Sequence, residues 1–328
     1  MQKKICFLDQ SKALDQMTAN FFKLLFETVD ATRFVEVPLE EAEYVLFSPF
    51  SPDHHAANPE TIKILISGEN MCPDFNACDY AISSEFLELG DRHLRMPVYS
   101  MFEAAKGLIS RAPLSQIGLE NKTNFCNFIY SNARWADPFR EKFFHTLDNV
   151  SPVVSAGRFL QNDTRLSGNE HGTDWGVTKR KMVESFRFTI AIENSEHPGY
   201  VTEKITDALL CNTIPIYWGD PRVLEEFDTE AFIHLRDFTT LEDAVAEIQR
   251  IDADPSRMLN MMNAPVFSGG IDRTALHLNA AREFFEAIFD QPLANARRRP
   301  RHGWVQSMES KRRSDQTGFK RRLKRNRF

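Results

Sequence analysis

The sequence predicts an α/β protein built from two Rossmann-like domains and a basic C-terminal tail. Three observations carry this. At 328 residues the chain is long for one domain, and domains of about 100–200 residues make two the natural division. Short β-branched runs alternate with amphipathic stretches along most of its length, which predicts parallel sheets covered by helices. Residues 186–221 contain a complete strand–helix–strand unit.

The N-terminal half opens on a strand at 5–8, followed by a broad helical stripe over 17–29 (Met17, Phe21, Phe22, Leu24, Leu25, Val29). Short strands follow at 34–37, 44–47, 62–66 and 80–82, each bounded by turn formers. A helix over 98–109 leads out of this first domain, 1–112. Residues 113–122, with Pro113 and Gly118, read as the linker.

The second domain, 123–293, begins with an apolar strand at 125–130 and a helix from Asp137 or Pro138 to about Leu147. Pro138 suits the first helical turn. A strand at 152–155, a polar loop over 157–176 and a short helix over 178–185 precede the central unit. Beyond Pro221 come a strand at 232–235, a well-patterned helix over 240–251 and a long amphipathic helix over 274–289 that can return across the first domain.

The net charge of −6 hides an asymmetry. Residues 294–328 hold 13 Lys/Arg against 2 Asp/Glu, a balance of +11, while the rest of the chain stands at −17. Body and tail are therefore different objects. The tail interleaves Arg297-Arg298-Arg299, Lys311-Arg312-Arg313 and Lys320-Arg321-Arg322 with Trp304, Phe319, Leu323 and Phe328. That pattern suits an anionic membrane surface. Deleting 297–328 is accordingly expected to abolish binding to anionic liposomes and to leave soluble activity largely intact. Nucleic acid is not expected as a partner, because the acidic body offers it no matching surface.

No run approaches the roughly 18 apolar residues of a membrane span, and the N-terminal apolar run is too short for a signal peptide. The five cysteines are an odd number without CxxC, and Cys6, Cys126 and Cys211 lie in apolar runs, so buried free thiols in a reducing cytosol are the default expectation. A cytoplasmic location, peripheral on the inner face of the cytoplasmic membrane, is the expectation. Walker, GxGxxG, GxSxG, HExxH and zinc spacings are missing, which disfavours NTPase, dehydrogenase, serine-hydrolase and zinc-protease chemistry.

The chemistry concentrates at the junction inside 186–221. In open α/β sheets ligands bind beyond the carboxyl ends of the strands. That edge carries Glu193, Asn194, Tyr200, Thr202, Glu203 and Lys204, and a helix N-terminus near Val201 favours an anion. The combination points to a polar, phosphorylated ligand. The competing reading has Thr202 or Ser195 capping the helix and Glu203 answering its dipole.

Glu69 follows Gly68 just past the strand at 62–66, where a general base can stand; an ordinary surface turn is the alternative. Arg134 and Arg140 flank the strand–helix junction near 137 and could grip phosphate or be solvated. His54-His55 could ligate a metal. Asp252-Ala253-Asp254 resembles a DxD metal motif, but it follows a helix and precedes Pro255, so helix capping explains it.

The central stretch resembles the signature of the bacterial α-1,3/4-fucosyltransferase family. The matching residues are Phe188-Thr-Ile-Ala-Ile-Glu-Asn-Ser195, Gly199-Tyr-Val-Thr-Glu-Lys204 and Ile214-Pro-Ile-Tyr-Trp-Gly219. Upstream, Ser67-Gly-Glu-Asn70, Asp79-Tyr-Ala-Ile82, Leu94-Arg-Met-Pro97 and Tyr130-Ser-Asn132 extend it.

The resemblance implies a GT-B fold, with two Rossmann-like domains facing a central cleft. It implies inverting transfer of L-fucose from GDP-fucose to the 3-hydroxyl, alternatively the 4-hydroxyl, of N-acetylglucosamine in lactosamine-type oligosaccharides or glycolipids, as in lipopolysaccharide O-antigen synthesis. It assigns Glu69 as general base and Glu203 as the carboxylate near fucose. Asn194, Tyr200, Val201, Thr202 and Lys204 fall to the donor, and Arg140 to the diphosphate. No metal is required, with Mn2+ or Mg2+ at most stimulatory. The alternatives are a GT-B transferase of another nucleotide sugar and a non-catalytic sugar-nucleotide or glycan-binding protein.

Overall fold

The computed structural model describes residues 2–8, 29–50, 52–131, 134–166 and 175–300, together with Met308 and Lys311. The helical stripe expected over 17–29, apart from Val29, and the tail beyond Pro300, apart from those two positions, lie outside the described residues. The chain divides into two compact units, residues 1–96 with 278–328, and residues 97–277.

The first unit holds one six-stranded parallel sheet, β1 (Lys3–Leu8), β2 (Phe34–Glu36), β3 (Tyr44–Phe47), β4 (Ile62–Ile66), β5 (Tyr80–Ser83) and β6 (His93–Arg95). Its strand order is β2-β1-β3-β4-β5-β6. β3 and β4 are buried at every position, as expected of parallel strands covered on both faces, and both are apolar but for Lys63 of β4.

The division falls at Met96/Pro97, upstream of the expected boundary at 112. Residues 98–109 form two 3-10 turns, Val98–Met101 and Glu103–Gly107, broken at Phe102 by an extended backbone, in place of the expected helix. Their apolar side chains Tyr99, Ala105 and Leu108 pack with Val201, Ile205 and Leu209 of the second unit's own core, and the Tyr99 amide donates to the Val201 carbonyl at 3.0 Å. The expected linker contains α1 (Gln116–Glu120), capped by the Ser115 side chain.

The second unit carries a five-stranded parallel sheet, ordered β11-β10-β9-β7-β8. Its elements run β7 (Asn124–Phe128), α2 (Phe139–Asp148), β8 (Val153–Ser155), α3 (Trp175–Val183), β9 (Phe186–Ile192), α4 (Glu203–Leu210), β10 (Ile214–Trp218), β11 (Ile233–His234), α5 (Leu241–Asp252) and α6 (Pro255–Asn263). β9, α4 and β10 are the expected parallel strand–helix–strand unit, with Ile190 opposite Ile216 and Ile192 opposite Trp218.

α5 lays Ala244, Val245, Ile248 and Ile251 on the sheet core. Asp254 caps α6 through the Arg257 amide at 3.0 Å, with Pro255 in the first turn, and Asp252 pairs with Arg187 at 2.6 Å. The Asp252-Ala253-Asp254 triplet is thus spent on structure. Asn162, the asparagine of a glycosylation sequon, is likewise spent on β8, accepting from the Ser155 amide at 2.7 Å and donating to the Val153 carbonyl at 2.9 Å.

α7 (Arg273–Phe289) spans the second crossing between the units, and from Leu278 onward it belongs to the first. There Phe289 sets its ring edge-on to Phe34 and Tyr44, with centroids 4.7 and 5.0 Å away. After α8 (Leu293–Ala296) comes a correction to the tail. Arg297, Arg298 and Arg299 are docked into the first unit.

Arg297 pairs with Glu60 at 2.6 Å and Arg298 with Asp91. Arg299 donates from Nε to the Asp79 carboxylate at 2.9 Å and from Nη2 to the Thr61 carbonyl at 2.7 Å. Asp79 is fully buried and also accepts from the amides of Lys63, Arg298 and Arg299. A buried carboxylate needs such partners, and Arg299 supplies the charged one.

Candidate functional site

The carboxyl edge of the second sheet is organised around one buried carboxylate. Side chains alternate across a strand, so Glu193, one residue past β9, continues the face of Ala191. Glu193 is fully buried and tied to β10 by its amide, which donates to the Trp218 carbonyl at 2.8 Å. Gly219 must be glycine: an added Cβ would stand 2.4 Å from Glu193 Cγ.

The Glu193 carboxylate accepts from the Thr202 amide at 2.8 Å and from the Thr202 hydroxyl at 2.8 Å, and it pairs with Lys204 Nζ at 3.0 Å. The Thr202 hydroxyl in turn accepts from Lys204 at 2.8 Å. Thr202 is the N-cap residue of α4 but makes no side-chain cap bond; Glu193 takes the orphan amide. The expected capping by Thr202 or Ser195 is therefore replaced by a carboxylate brought in from the neighbouring strand.

Electrostatics follow from this geometry. Burial pushes the Glu193 carboxyl above its ordinary range, with Lys204 opposing and Glu203 adding to the rise. Burial also works against the Lys204 charge, but Glu193 and Glu203 outweigh it and hold the ammonium well above its usual value. Glu203, against the same burial, is held low by Lys204 and Lys179. Lys179 reaches the site from α3 and is locked to Asp207 of α4 at 2.9 Å. These two residues, with Lys204, Asn127, Tyr130 and Thr189 among others, line a small cavity of about 20 Å³.

Arg140 enters from α2 and is fully buried. Its guanidinium lies over the Tyr130 ring, 4.1 Å from the centroid, and donates to the Ile192 carbonyl at 2.9 Å and to Asn194 Oδ1 at 2.8 Å. No carboxylate among the described residues pairs with it, and its Nε has no hydrogen-bond partner among them. The Asn194 carbonyl accepts from the Asp137 amide at 2.7 Å, which fastens the β7–α2 loop to the β9–α4 loop. Gly199, at φ +88°, turns the chain into Tyr200, which is buried at 3 % exposure.

The structure thus brings Arg140, Asn194, Tyr200, Val201, Thr202, Glu203 and Lys204 to one edge. Val201 and Thr202 are buried and turned inward, Val201 into the core and Thr202 onto Glu193. Sequence reasoning named Glu193 at this junction without giving it a role. Its position, two residues beyond an inward-facing alanine, was the available signal.

Glu69 stands in the first unit, just past β4. A reciprocal pair of bonds orders its turn: the Glu69 amide donates to Ser67 Oγ at 3.2 Å, and Ser67 Oγ to the Glu69 carbonyl at 3.3 Å. His54 stacks on Phe47 with centroids 3.9 Å apart. Among the described residues no group of three His, Cys, Asp or Glu side chains could hold a metal ion.

Two parallel-sheet units, one with an anion-friendly edge at a strand–helix junction, define the GT-B class of glycosyltransferase fold. Comparison with known proteins narrows this. The Alpha-(1,3)-fucosyltransferase FucT N-terminal domain matches residues 5–102, and the Glycosyltransferase family 10 (fucosyltransferase) C-terminal domain matches residues 119–263. The chain belongs to the fucosyltransferase family.

The chain is 28 % identical over 257 residues to the Alpha-(1,3)-fucosyltransferase FucT of Helicobacter pylori, covering 69 % of this chain and 52 % of that protein. To the Homo sapiens 3-galactosyl-N-acetylglucosaminide 4-alpha-L-fucosyltransferase FUT3 it is 35 % identical over 192 residues, 58 % of this chain and 49 % of that one. It spans about half the length of the curated relatives it matches. A crystal structure of an alpha1,3-fucosyltransferase shares the fold, with a TM-score of 0.71 at 23 % identity over 92 % of this chain and 93 % of that one.

Proposed function

We propose that the protein is an inverting glycosyltransferase that moves L-fucose from GDP-fucose to the 3-hydroxyl of N-acetylglucosamine in lactosamine-type glycans. One observation supports this above the rest: within the family-matched segment, Arg140 is a buried guanidinium with no carboxylate partner among the described residues, set behind a loop that presents Asn194 beside Glu203 and Lys204. A buried cation lacking a counter-ion favours an incoming anion, and the diphosphate of the donor supplies one. One relative's name specifies an alpha-(1,3)-fucosyltransferase, and one solved structure is of an alpha1,3-fucosyltransferase with GDP-fucose.

In this reading the second unit neutralises the leaving diphosphate. Lys204 keeps its charge throughout, and Arg140 fixes Asn194 against the ligand. Glu203, held ionised, faces the positive charge that develops on the sugar. Glu69 of the first unit takes the proton of the acceptor hydroxyl. As that oxygen bonds to C1, the bond from C1 to the diphosphate breaks, GDP leaves with the electron pair, and the anomeric centre inverts.

Incubating the purified protein with GDP-fucose and N-acetyllactosamine should release GDP and form an α-fucoside, with NMR of the product separating 3- from 4-linkage. Absence of GDP release with any lactosamine-type acceptor rejects the proposal, and turnover with a different nucleotide sugar alone selects the other GT-B reading. Ten of the basic residues lie from Arg301 onward. At about 1 kcal/mol each near an anionic surface, they carry the proposed contact with the inner face of the cytoplasmic membrane.

A further inference from the structure

β11 is only two residues long, and its pairing sets His234 opposite Tyr217 of β10, which in turn stands opposite Ala191 of β9. Residues directly opposite share a face, so His234 looks to the same side of the sheet as Tyr217, one pleat short of Glu193. Its neighbours Ile233 and Leu235 go to the other side, into the core with Ile214 and Ile216.

The turn after β11 is bound to the β9–α4 loop by an ion pair between Arg236 and Glu196. His234 is therefore at the edge already described, yet nothing has used it. Its side chain is 6 % exposed, and neither Nδ1 nor Nε2 has a hydrogen-bond partner among the described residues. The closest carboxylate oxygen, Asp237 Oδ1, is 3.5 Å from Nδ1. The rings of Tyr217 and Phe232 stand 6.2 and 5.9 Å away.

A buried imidazole with both nitrogens unsatisfied lowers stability, and such groups are rare without a reason. We propose that His234 is a specificity-determining residue of the donor site, whose Nε2 hydrogen-bonds an uncharged group of the sugar nucleotide, a hydroxyl or a base edge. This rests on the donor-site reading of the β9–α4 edge. Burial lowers the imidazole below its ordinary range, with Asp237 opposing. The ring at neutral pH is then uncharged, with one donor and one acceptor, which suits a hydroxyl or a base edge better than the diphosphate.

The test uses the full chain and two measurements: calorimetric titration with GDP and with GDP-fucose, and thermal unfolding without ligand. His234→Phe fills the same space and removes the two unsatisfied nitrogens. The expected result is at least tenfold weaker binding of GDP-fucose with an unchanged or raised Tm, and partial recovery in His234→Asn, which keeps a donor and an acceptor. Equal weakening of GDP places the contact on the nucleoside; weakening of GDP-fucose alone places it on the sugar.

Wild-type affinity in His234→Phe overturns the inference and leaves the donor site standing. A lowered Tm with wild-type affinity overturns it in favour of a packing role. A wild-type protein that binds neither ligand overturns both.

Discussion

Replacing Arg299 with Met should unfasten the chain's C-terminal segment from the first unit. The magnitude follows from what the guanidinium holds. Asp79 is fully buried, and the Arg299 side chain is 5 % exposed. With the guanidinium gone, the buried carboxylate loses its cationic partner and the Thr61 carbonyl loses its donor. Breaking a buried pair from one side costs about 3–5 kcal/mol.

At roughly 2–4 °C per kcal/mol for a body of this size, Tm should fall by about 6–20 °C. Two truncations isolate the cause without a point mutation. Ending the chain after Pro300 keeps the three docked arginines; ending it after Ala296 removes them, and both lose everything beyond. Scanning calorimetry should show the shorter chain melting at least 6 °C below the longer. If the two melt together, the buried pair is not what holds the segment and the reasoning fails.

Other outcomes follow from the same geometry. Glu69→Gln should lower turnover about 10²–10⁴-fold with GDP affinity and Tm unchanged, measured by coupled GDP release and titration; wild-type turnover would remove Glu69 from the base role. Lys204→Met should destabilise by about 3–5 kcal/mol because it strands Glu193, and adding Glu193→Gln should restore Tm without restoring GDP binding, which separates frame from ligand contact. Gly219→Ala should destabilise by more than 1 kcal/mol, since its Cβ would meet Glu193 and the Tyr217 hydroxyl at 2.4–3.0 Å; an unchanged denaturant midpoint contradicts that. Arg298 holds the Asp91 carboxyl below its ordinary 3.8. The stability from this pair is present above that pH and lost as pH falls through the lowered folded value. Wild type should therefore lose stability between pH 5 and pH 2 more steeply than Arg298→Gln.

The central strand–helix–strand unit was legible because each signal there is local. β9 is a run of apolar and β-branched residues, α4 shows a clear stripe, and Gly219-Asp220-Pro221 ends the second strand. Elsewhere locality failed. β6, His93-Leu94-Arg95, is half-buried throughout and is a strand only because it pairs with β5. Asp254-Pro255 carries a helix-start signal, and the capping expected of Asp252-Ala253-Asp254 is found at Asp254, which opens α6. Residues 98–109 have helical spacing, yet Phe102 is extended because the turns on either side must reach the α4 face. The arginines at 297–299 are expected at a membrane surface because their partners, Glu60, Asp79 and Asp91, are more than 200 residues away in sequence. Pairing across such separations leaves no trace in spacing or composition.

The two buried carboxylates show how the same device serves different ends. Asp79 in one unit and Glu193 in the other are each fully buried; Asp79 is held by three backbone amides and a guanidinium, Glu193 by one backbone amide, one hydroxyl and an ammonium. The cations differ in what they have left. Arg299 commits Nε to Asp79 and Nη2 to a carbonyl inside the unit, and its side chain is 5 % exposed. Lys204 has three ammonium hydrogens. Two are spent, on Glu193 at 3.0 Å and on Thr202 at 2.8 Å, and its next oxygen, on Glu203, stands at 3.7 Å. Its side chain is 14 % exposed. One donor therefore remains at the sheet edge beside a carboxylate that is itself held ionised. On the proposed donor-site reading, a phosphate oxygen arriving there would meet a fixed ammonium, held charged by Glu193 and Glu203, with a hydrogen to give. The buried acid fixes the position of that charge in advance, so binding the ligand requires little reorganisation. The frame around Glu193 is thus better understood as part of the site than as support beneath it.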